Sequence, residues 1–370
     1  MAHVREIAFG ATSKFSAQSW IYRLYSKTVS GITLIIVIYV DDGLVVCPSQ
    51  QMIDDELNEL NKVYKLKKLG RVSTFLSLQF VHSSSGILIH QSKYVKSIVS
   101  RYLDTSFPTR CLASTPMETS LAKNPSSPPF SDITLYRSAV GALQYAAQLA
   151  RPDIAAAVRK VAQSLSSPSE EDWTAVKRIF RYLSKTEDFG IVYSRGQSME
   201  MEVYSDASWA DDQENRRSVG AFAVIVAGGV VSWRSKQQAL IATSTTESET
   251  IALSDATKEV LSFRKLYVDL ALPLSPSTRI FEDNVACIAI ANNPSSSHAR
   301  TKHFDVVTLF VRERIAFGDI NLEYCPTFDM TADIFTKGLA KGPFDKLRKK
   351  LGMESLASWN SGSVKNGGSQ

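Results

Sequence analysis

The chain has 370 residues, 44% hydrophobic and 21% charged, with formal net charge +5 and pI near 8.9. This is the make-up of an ordinary globular protein with room for about two or three domains; its mild basicity suits a polyanionic partner without requiring one. The longest apolar run, 32–40, is too short to cross a bilayer, no apolar signal core follows Met1, and Cys47, Cys111, Cys287 and Cys325 lack zinc-ligand spacing. These cysteines read as free thiols in a reducing compartment.

From the N-terminus, 32–40, 41–43 and 44–47 read as strand, tight turn and strand, and 51–64 alternates charge and Leu at helical spacing. Strands at 74–81 and 86–90 precede a helix over 91–103. Residues 105–132 are rich in Pro, Ser and Thr and read as a linker. Helices follow at 135–149, 153–165 and 169–184, the last opened by Ser169 with Glu170, Glu171 and Asp172 in its first turn. Beyond 187, strands are expected at 190–194, 199–205, 220–227 and 230–235, with Gly228-Gly229 as a turn. A long helix over 243–270 opens on Ser244-Thr245-Thr246-Glu247, a capping-box pattern. Then come a strand at 279–282, a helix through 291, a helix at 302–317, a strand at 319–325 and a helix through 333. A basic helix at 343–351 begins with Pro343, and 354–370 is Ser-, Gly- and Asn-rich and expected to be disordered.

Four carboxylates stand at the ends of these elements: Asp206, Glu249, Asp283 and Asp333. Asp206 and Asp283 follow strand-like runs, while Glu249 and Asp333 lie on helical stretches. Acids at neighbouring element ends can converge, and clustered like charges need a cation to be tolerable. Mg²⁺ takes oxygen ligands, and two ions about 3.5–4 Å apart can clamp a phosphodiester for in-line attack by water. The bland reading, solvated caps and surface acids, fits any one of them alone. Glu247 competes with Glu249 for the helical position.

Several words occur in a fixed order: Tyr39-Val40-Asp41-Asp42, Gln91-Ser92-Lys93-Tyr94-Val95, Thr115-Pro116-Met117, Gly141-Ala142-Leu143-Gln144-Tyr145 and Arg151-Pro152-Asp153-Ile154. Further on stand Tyr204-Ser205-Asp206-Ala207, Ser232-Trp233-Arg234-Ser235-Lys236, Arg300-Thr301-Lys302-His303 and Ala332-Asp333-Ile334-Phe335-Thr336-Lys337. At these residues the chain resembles the C-terminal part of the polyprotein of copia-type (Pseudoviridae) LTR retrotransposons, over about residues 15–353. The resemblance implies an α+β fold: a ribonuclease H-like mixed five-stranded sheet with helices, preceded by a helical connection and a truncated reverse transcriptase palm and thumb. The implied domains are 1–104 (palm/thumb remnant), 105–186 (linker and helical connection), 187–353 (ribonuclease H-like) and 354–370 (tail).

The resemblance further implies Asp206, Glu249, Asp283 and Asp333 as catalytic ligands of two Mg²⁺ or Mn²⁺ ions, hydrolysing RNA in RNA–DNA hybrids. Asp41 and Asp42 match the metal-binding hairpin of the polymerase palm. That site needs an earlier strand ending in Asp, which the first 40 residues do not offer, so it reads as vestigial and polymerase activity by this chain alone is not expected. Ser77 replaces a Gly usual near the primer, and Ser248 and Thr250 depart from the family's Ala-Glu-Tyr around Glu249. Cys325-Pro326-Thr327-Phe328-Asp329 offers no His where many ribonucleases H carry one before the last Asp. Lys236, Arg300, Lys302 and His303 are candidate nucleic-acid contacts, with a solvated face as the plain alternative. The expected setting is intracellular, in a cytoplasmic virus-like particle or the nucleus, with no membrane partner. Two other readings stand beside this one: a decayed or co-opted non-catalytic nucleic-acid-binding fragment, and the C-terminal piece of a larger active reverse transcriptase.

Overall fold

A computed structural model describes residues 16–17, 23–103, 113–119, 126–212, 215–293 and 302–365. It forms two compact units, one of residues 1–76 with 261–274, the other of 77–260 with 275–370.

In the first unit, Arg23–Val29, Ile32–Tyr39 and Asp42–Val46 form successive antiparallel strands, with the two-residue strand Ser16–Ala17 on the outer edge. The strand Arg23–Val29 was not expected from sequence; Lys27 and Thr28 interrupt its apolar pattern. Leu34, Ile36 and Ile38 alternate inward and meet Met52 and Leu60 of the helix Gln50–Val63, which Ser49 caps. Lys27 Nζ pairs with Glu56 Oε2 at 2.6 Å. Val40 and Asp41 form the hairpin turn, Val40 with φ 51° and 70% exposed, and Asp42 registers opposite Tyr39.

In the second unit one mixed sheet has five strands: Glu202–Ser208 (β1), Val219–Val226 (β2), Gly229–Gln237 (β3), Thr278–Glu282 (β4) and Ile320–Tyr324 (β5). Their spatial order is β3-β2-β1-β4-β5. β1, β2 and β3 are antiparallel neighbours, while β4 runs parallel to β1 and β5 parallel to β4. In the antiparallel half the two-residue turn 227–228 joins β2 to β3 and residues 209–218 link β1 to β2; the parallel half is joined by helices, as parallel crossovers require. The helix Thr245–Asp269 connects β3 to β4; Val285–Asn292 and Lys302–Ala316 connect β4 to β5.

The helices Ser92–Tyr102, Ile133–Leu149, Ala155–Ala162 and Glu170–Lys185 do not form a separate connection. Val95, Tyr136, Leu143, Ile154, Ile179 and Phe180 share one buried core with Ala221, Ala223 and Val230 of the sheet and with Phe335, Leu347 and Met353. The expected boundaries at 104 and 186 therefore do not separate compact bodies. Part of the Pro/Ser stretch is strapped down as well: Arg178 reaches Thr115 O and pairs with Glu118 at 2.8 Å. Arg151 is fully buried in a fork with Asp153 (2.9 and 2.8 Å) and donates to Thr186; Tyr182 Oη donates to Asp153 Oδ2 at 2.5 Å.

The tail corrects another expectation. Met353–Ser355 forms a strand on Phe189–Ser194, which pairs on its other edge with Gly86–His90, itself paired with Leu78–His82. The helix Leu356–Lys365 follows, with Trp359 buried against Leu88 and Val192. Met353, Leu356 and Trp359 suffice to fix this polar stretch because each packs against a buried apolar cluster. The expected strand 74–81 is interrupted: Leu76 and Ser77 take positive φ, Ser77 at 68°, the left-handed backbone a glycine adopts freely.

Candidate metal centre

Asp206 and Asp283 come together because β1 and β4 are parallel neighbours. Tyr204 registers against Phe281, and each acid lies two residues further along its strand, so both project at the same sheet end. Glu249 enters from the helix Thr245–Asp269. One carboxylate oxygen from each of Asp206, Glu249 and Asp283 lies within 4.8 Å of the other two. Glu247 is engaged elsewhere: its Oε2 accepts from Thr243 N and Oγ1 at 2.7 Å, while its N–H donates to Ser244 Oγ, closing the N-terminal cap.

Asp333, at the start of the short helix Asp333–Thr336, is not in that three-acid group. Its carboxyl lies within hydrogen-bonding reach of Asp206 and pairs with Lys337 Nζ at 2.7 Å. Thr336 Oγ1 donates to Asp206 Oδ2 at 2.5 Å. Thr327, on the turn where sequence comparison offers no His, donates to Asp283 Oδ2 at 2.7 Å.

Sequence reasoning missed Glu282. It is fully buried, with its Oε1 held by Asn284 N–H and its Oε2 without a partner. The available signal was strand alternation: Thr278, Ile280 and Glu282 share the buried face of β4.

Burial dominates the electrostatics. It raises Asp206, with Asp283 adding to the effect and Lys337 and Thr336 opposing it. Glu249 is pushed up to about 11 by burial and then by Glu282, Asp206 and Asp283, against one N–H from Ala207. Burial likewise lifts Glu282 well above the carboxylate range. Asp333 is raised to about 7 by burial and Asp206, with Lys337 opposing. Glu249 Oε2 is buried without a hydrogen-bond partner. An oxygen-rich, under-neutralised cluster with an unsatisfied carboxylate oxygen fits a hard divalent cation. Asp206, Glu249 and Asp283 could hold one ion, and Asp206 with Asp333 a second.

The other expected sites lie apart from this cluster. Among the described residues Asp41 and Asp42 belong to no group of three potential ligands. Lys236 is exposed on β3 opposite Gly220. Arg300 lies outside the described residues; Lys302 and His303 open the helix Lys302–Ala316, but their side chains are outside them too. Of the aromatics, Phe222 is buried, Tyr204 stacks on Phe281, Trp233 donates to Ala147 O, and Trp209 is 44% exposed. In the basic helix, Lys346 and Lys350 pair with Asp329, and Arg348 donates to Tyr182 Oη. Cys47, Cys287 and Cys325 are free thiols, and Cys111 lies outside the described residues.

The reverse transcriptase (RNA-dependent DNA polymerase) family matches residues 7–118. A putative transposon Ty5-1 protein of Saccharomyces cerevisiae is 33% identical over 240 residues, 64% of this chain and 77% of that protein. The retrovirus-related Pol polyprotein from transposon RE2 of Arabidopsis thaliana is 30% identical over 321 residues, 85% of this chain. The chain belongs to the copia-type retrotransposon Pol family. It spans 21% of the length of the RE2 polyprotein and 24% of the one from transposon TNT 1-94 of Nicotiana tabacum. A solved ribonuclease H1 from Halobacterium salinarum aligns at 12% identity and TM-score 0.29, covering 37% of this chain and 94% of that one. Among its described residues the chain has no helix long and apolar enough to cross a membrane.

Proposed function

We propose that this chain hydrolyses the RNA strand of RNA–DNA hybrids as the ribonuclease H part of a copia-type Pol polyprotein. The observation that carries this reading is the convergence of Asp206, Glu249 and Asp283, from three separate elements, to within 4.8 Å. When bound, two Mg²⁺ or Mn²⁺ ions supply activation of the attacking water and stabilisation of charge on the leaving 3′ oxygen. The protein's own part is orientation. Thr336 fixes Asp206 through Oδ2, Thr327 fixes Asp283 through Oδ2, and the Ala207 N–H holds Glu249. Discrimination from DNA then rests on the 2′-hydroxyls of the RNA strand. Lys236, Arg300, Lys302 and His303 are the proposed contacts along the backbone. The Asp41-Asp42 hairpin takes no part, and the chain alone is expected to extend no primer on an RNA template.

The test is cleavage of a labelled RNA–DNA hybrid in Mg²⁺, with duplex DNA and duplex RNA as controls. Hybrid-specific cleavage abolished by Asp206→Asn and by Asp283→Asn is expected. Undiminished cleavage by a folded Asp206→Asn chain, or none by the folded parent, sinks the reading.

A further inference from the structure

The acids of this site are not equally free. Glu249 keeps a buried oxygen without a partner, and no basic side chain is paired with Asp206, Glu249 or Asp283 among the described residues. On the Asp333 side a cation is already present. Lys337 follows the four-residue helix, and its N–H donates to Asp333 O at 3.3 Å. That last turn brings Nζ back to Asp333 Oδ1 at 2.7 Å. The carboxylate is 8% exposed and the lysine side chain 40%, so the ammonium stands at the mouth of the cluster with its charge directed inward. Its charge acts on Asp206 as well as on Asp333. The preceding Thr336 binds Asp206 Oδ2, so two consecutive residues grip the two acids.

We propose that Lys337 is a resident cation: its ammonium occupies the Asp206–Asp333 side of the site in the metal-free chain and must move away for a second divalent ion to bind there. This rests on the metal-binding part of the proposed function. One ion enters among Asp206, Glu249 and Asp283 without competition. The second competes with a tethered positive charge that cannot be diluted away, so occupancy of the two positions is unequal. Lys337 acts as a positioning residue, through Asp333 and Asp206.

The plain alternative is an ordinary i,i+4 pair that happens to lie nearby, and the chain contains the control. Lys341 Nζ meets Asp345 Oδ2 at 2.8 Å with the same spacing, at 65% and 33% exposure. The experiment titrates Mn²⁺ calorimetrically into the full chain, Lys337→Met and Lys341→Met at pH 8, and melts each in EDTA and in excess Mn²⁺. Lys337→Met should bind the second ion about tenfold more tightly. It should melt about 2–4 °C below the parent in EDTA, and that gap should close in Mn²⁺. Lys341→Met should match the parent in its isotherm.

An unchanged isotherm for Lys337→Met, or an EDTA gap that Mn²⁺ leaves in place, overturns the proposal, as does absence of Mn²⁺ binding to any of the three. Hybrid cleavage by the parent is scored separately. Cleavage with identical isotherms defeats the resident cation and spares the nuclease; the expected isotherms without cleavage do the reverse.

Discussion

Glu249→Gln should yield a chain that is more stable without metal and inactive. The side chain titrates near 4.5 when unfolded and about 11 when folded. A carboxyl raised in the folded state contributes stability that is fully present below pH 4.5 and is lost steadily as pH climbs toward 11. At pH 7.5 the loss runs over roughly three pH units at about 1.4 kcal/mol each, an upper bound of about 4 kcal/mol. Glutamine removes that loss, but its buried amide lacks a full set of partners, which costs about 1–3 kcal/mol. A net gain of about 2 kcal/mol in EDTA at pH 7.5 follows, or roughly 4–8 °C in Tm. The decisive assay is a melting series from pH 5 to 8.5 on both chains, with EDTA and with Mn²⁺. The gap should close near pH 6, reverse below it, widen above it, and shrink in Mn²⁺, because the parent gains a ligand-linked stabilisation that the variant loses. A gap that does not change with pH, or a variant that melts lower at pH 8, would refute the assignment of Glu249 as an uncompensated buried acid.

Arg151→Met should cost about 3–5 kcal/mol in urea denaturation, because it strands Asp153, which is fully buried. Gly352→Ala should cost about 1–3 kcal/mol: its φ is 76°, and a Cβ there would sit 2.4 Å from Gly228 O. Gly141→Ala, in the helix Ile133–Leu149 with open space around it, should instead stabilise by about 0.5–1 kcal/mol in the same assay. A fragment 187–353 should aggregate on size-exclusion chromatography because it uncovers the sheet face that Leu143, Ile154 and Ile179 bury, whereas 77–365 should run as a single soluble species.

Element order is legible in the sequence where local chemistry is strong. The capping box at Ser169 and Asp172 and the continuous apolar run Val219–Val226 each favour one conformation, while the expected Gly228-Gly229 turn falls one residue earlier, at Ala227-Gly228, with Gly229 already paired to Val226. The acids are legible because they stand at or near element ends within words that occur in a fixed order. What cannot be read is partnership. The apolar stripe of Ile133–Leu149 is evident, but a stripe does not say whether it faces another helix or a sheet whose strands begin seventy residues later, so the connection reads as a separate piece. Glu282 is hidden for a related reason. Its neighbour Asp283 carries the motif, and only the alternation of β4 turns Glu282 inward. The strand Met353–Ser355 has no pattern of its own and exists because Phe189–Ser194 offers it an edge.

That borrowed edge has a consequence for how the protein is made. As the chain leaves the ribosome, Gly86–His90 emerges long before Phe189–Ser194, and Phe189–Ser194 long before Met353–Ser355. Each waits with one edge unpaired while the intervening chain is synthesised. The sheet therefore closes only after translation has passed Ser355, and Leu88 and Val192 stay uncovered until Trp359 arrives. A reading frame stopped shortly before Met353 would retain every acid of the site, yet its product would carry an open strand edge and be prone to self-association.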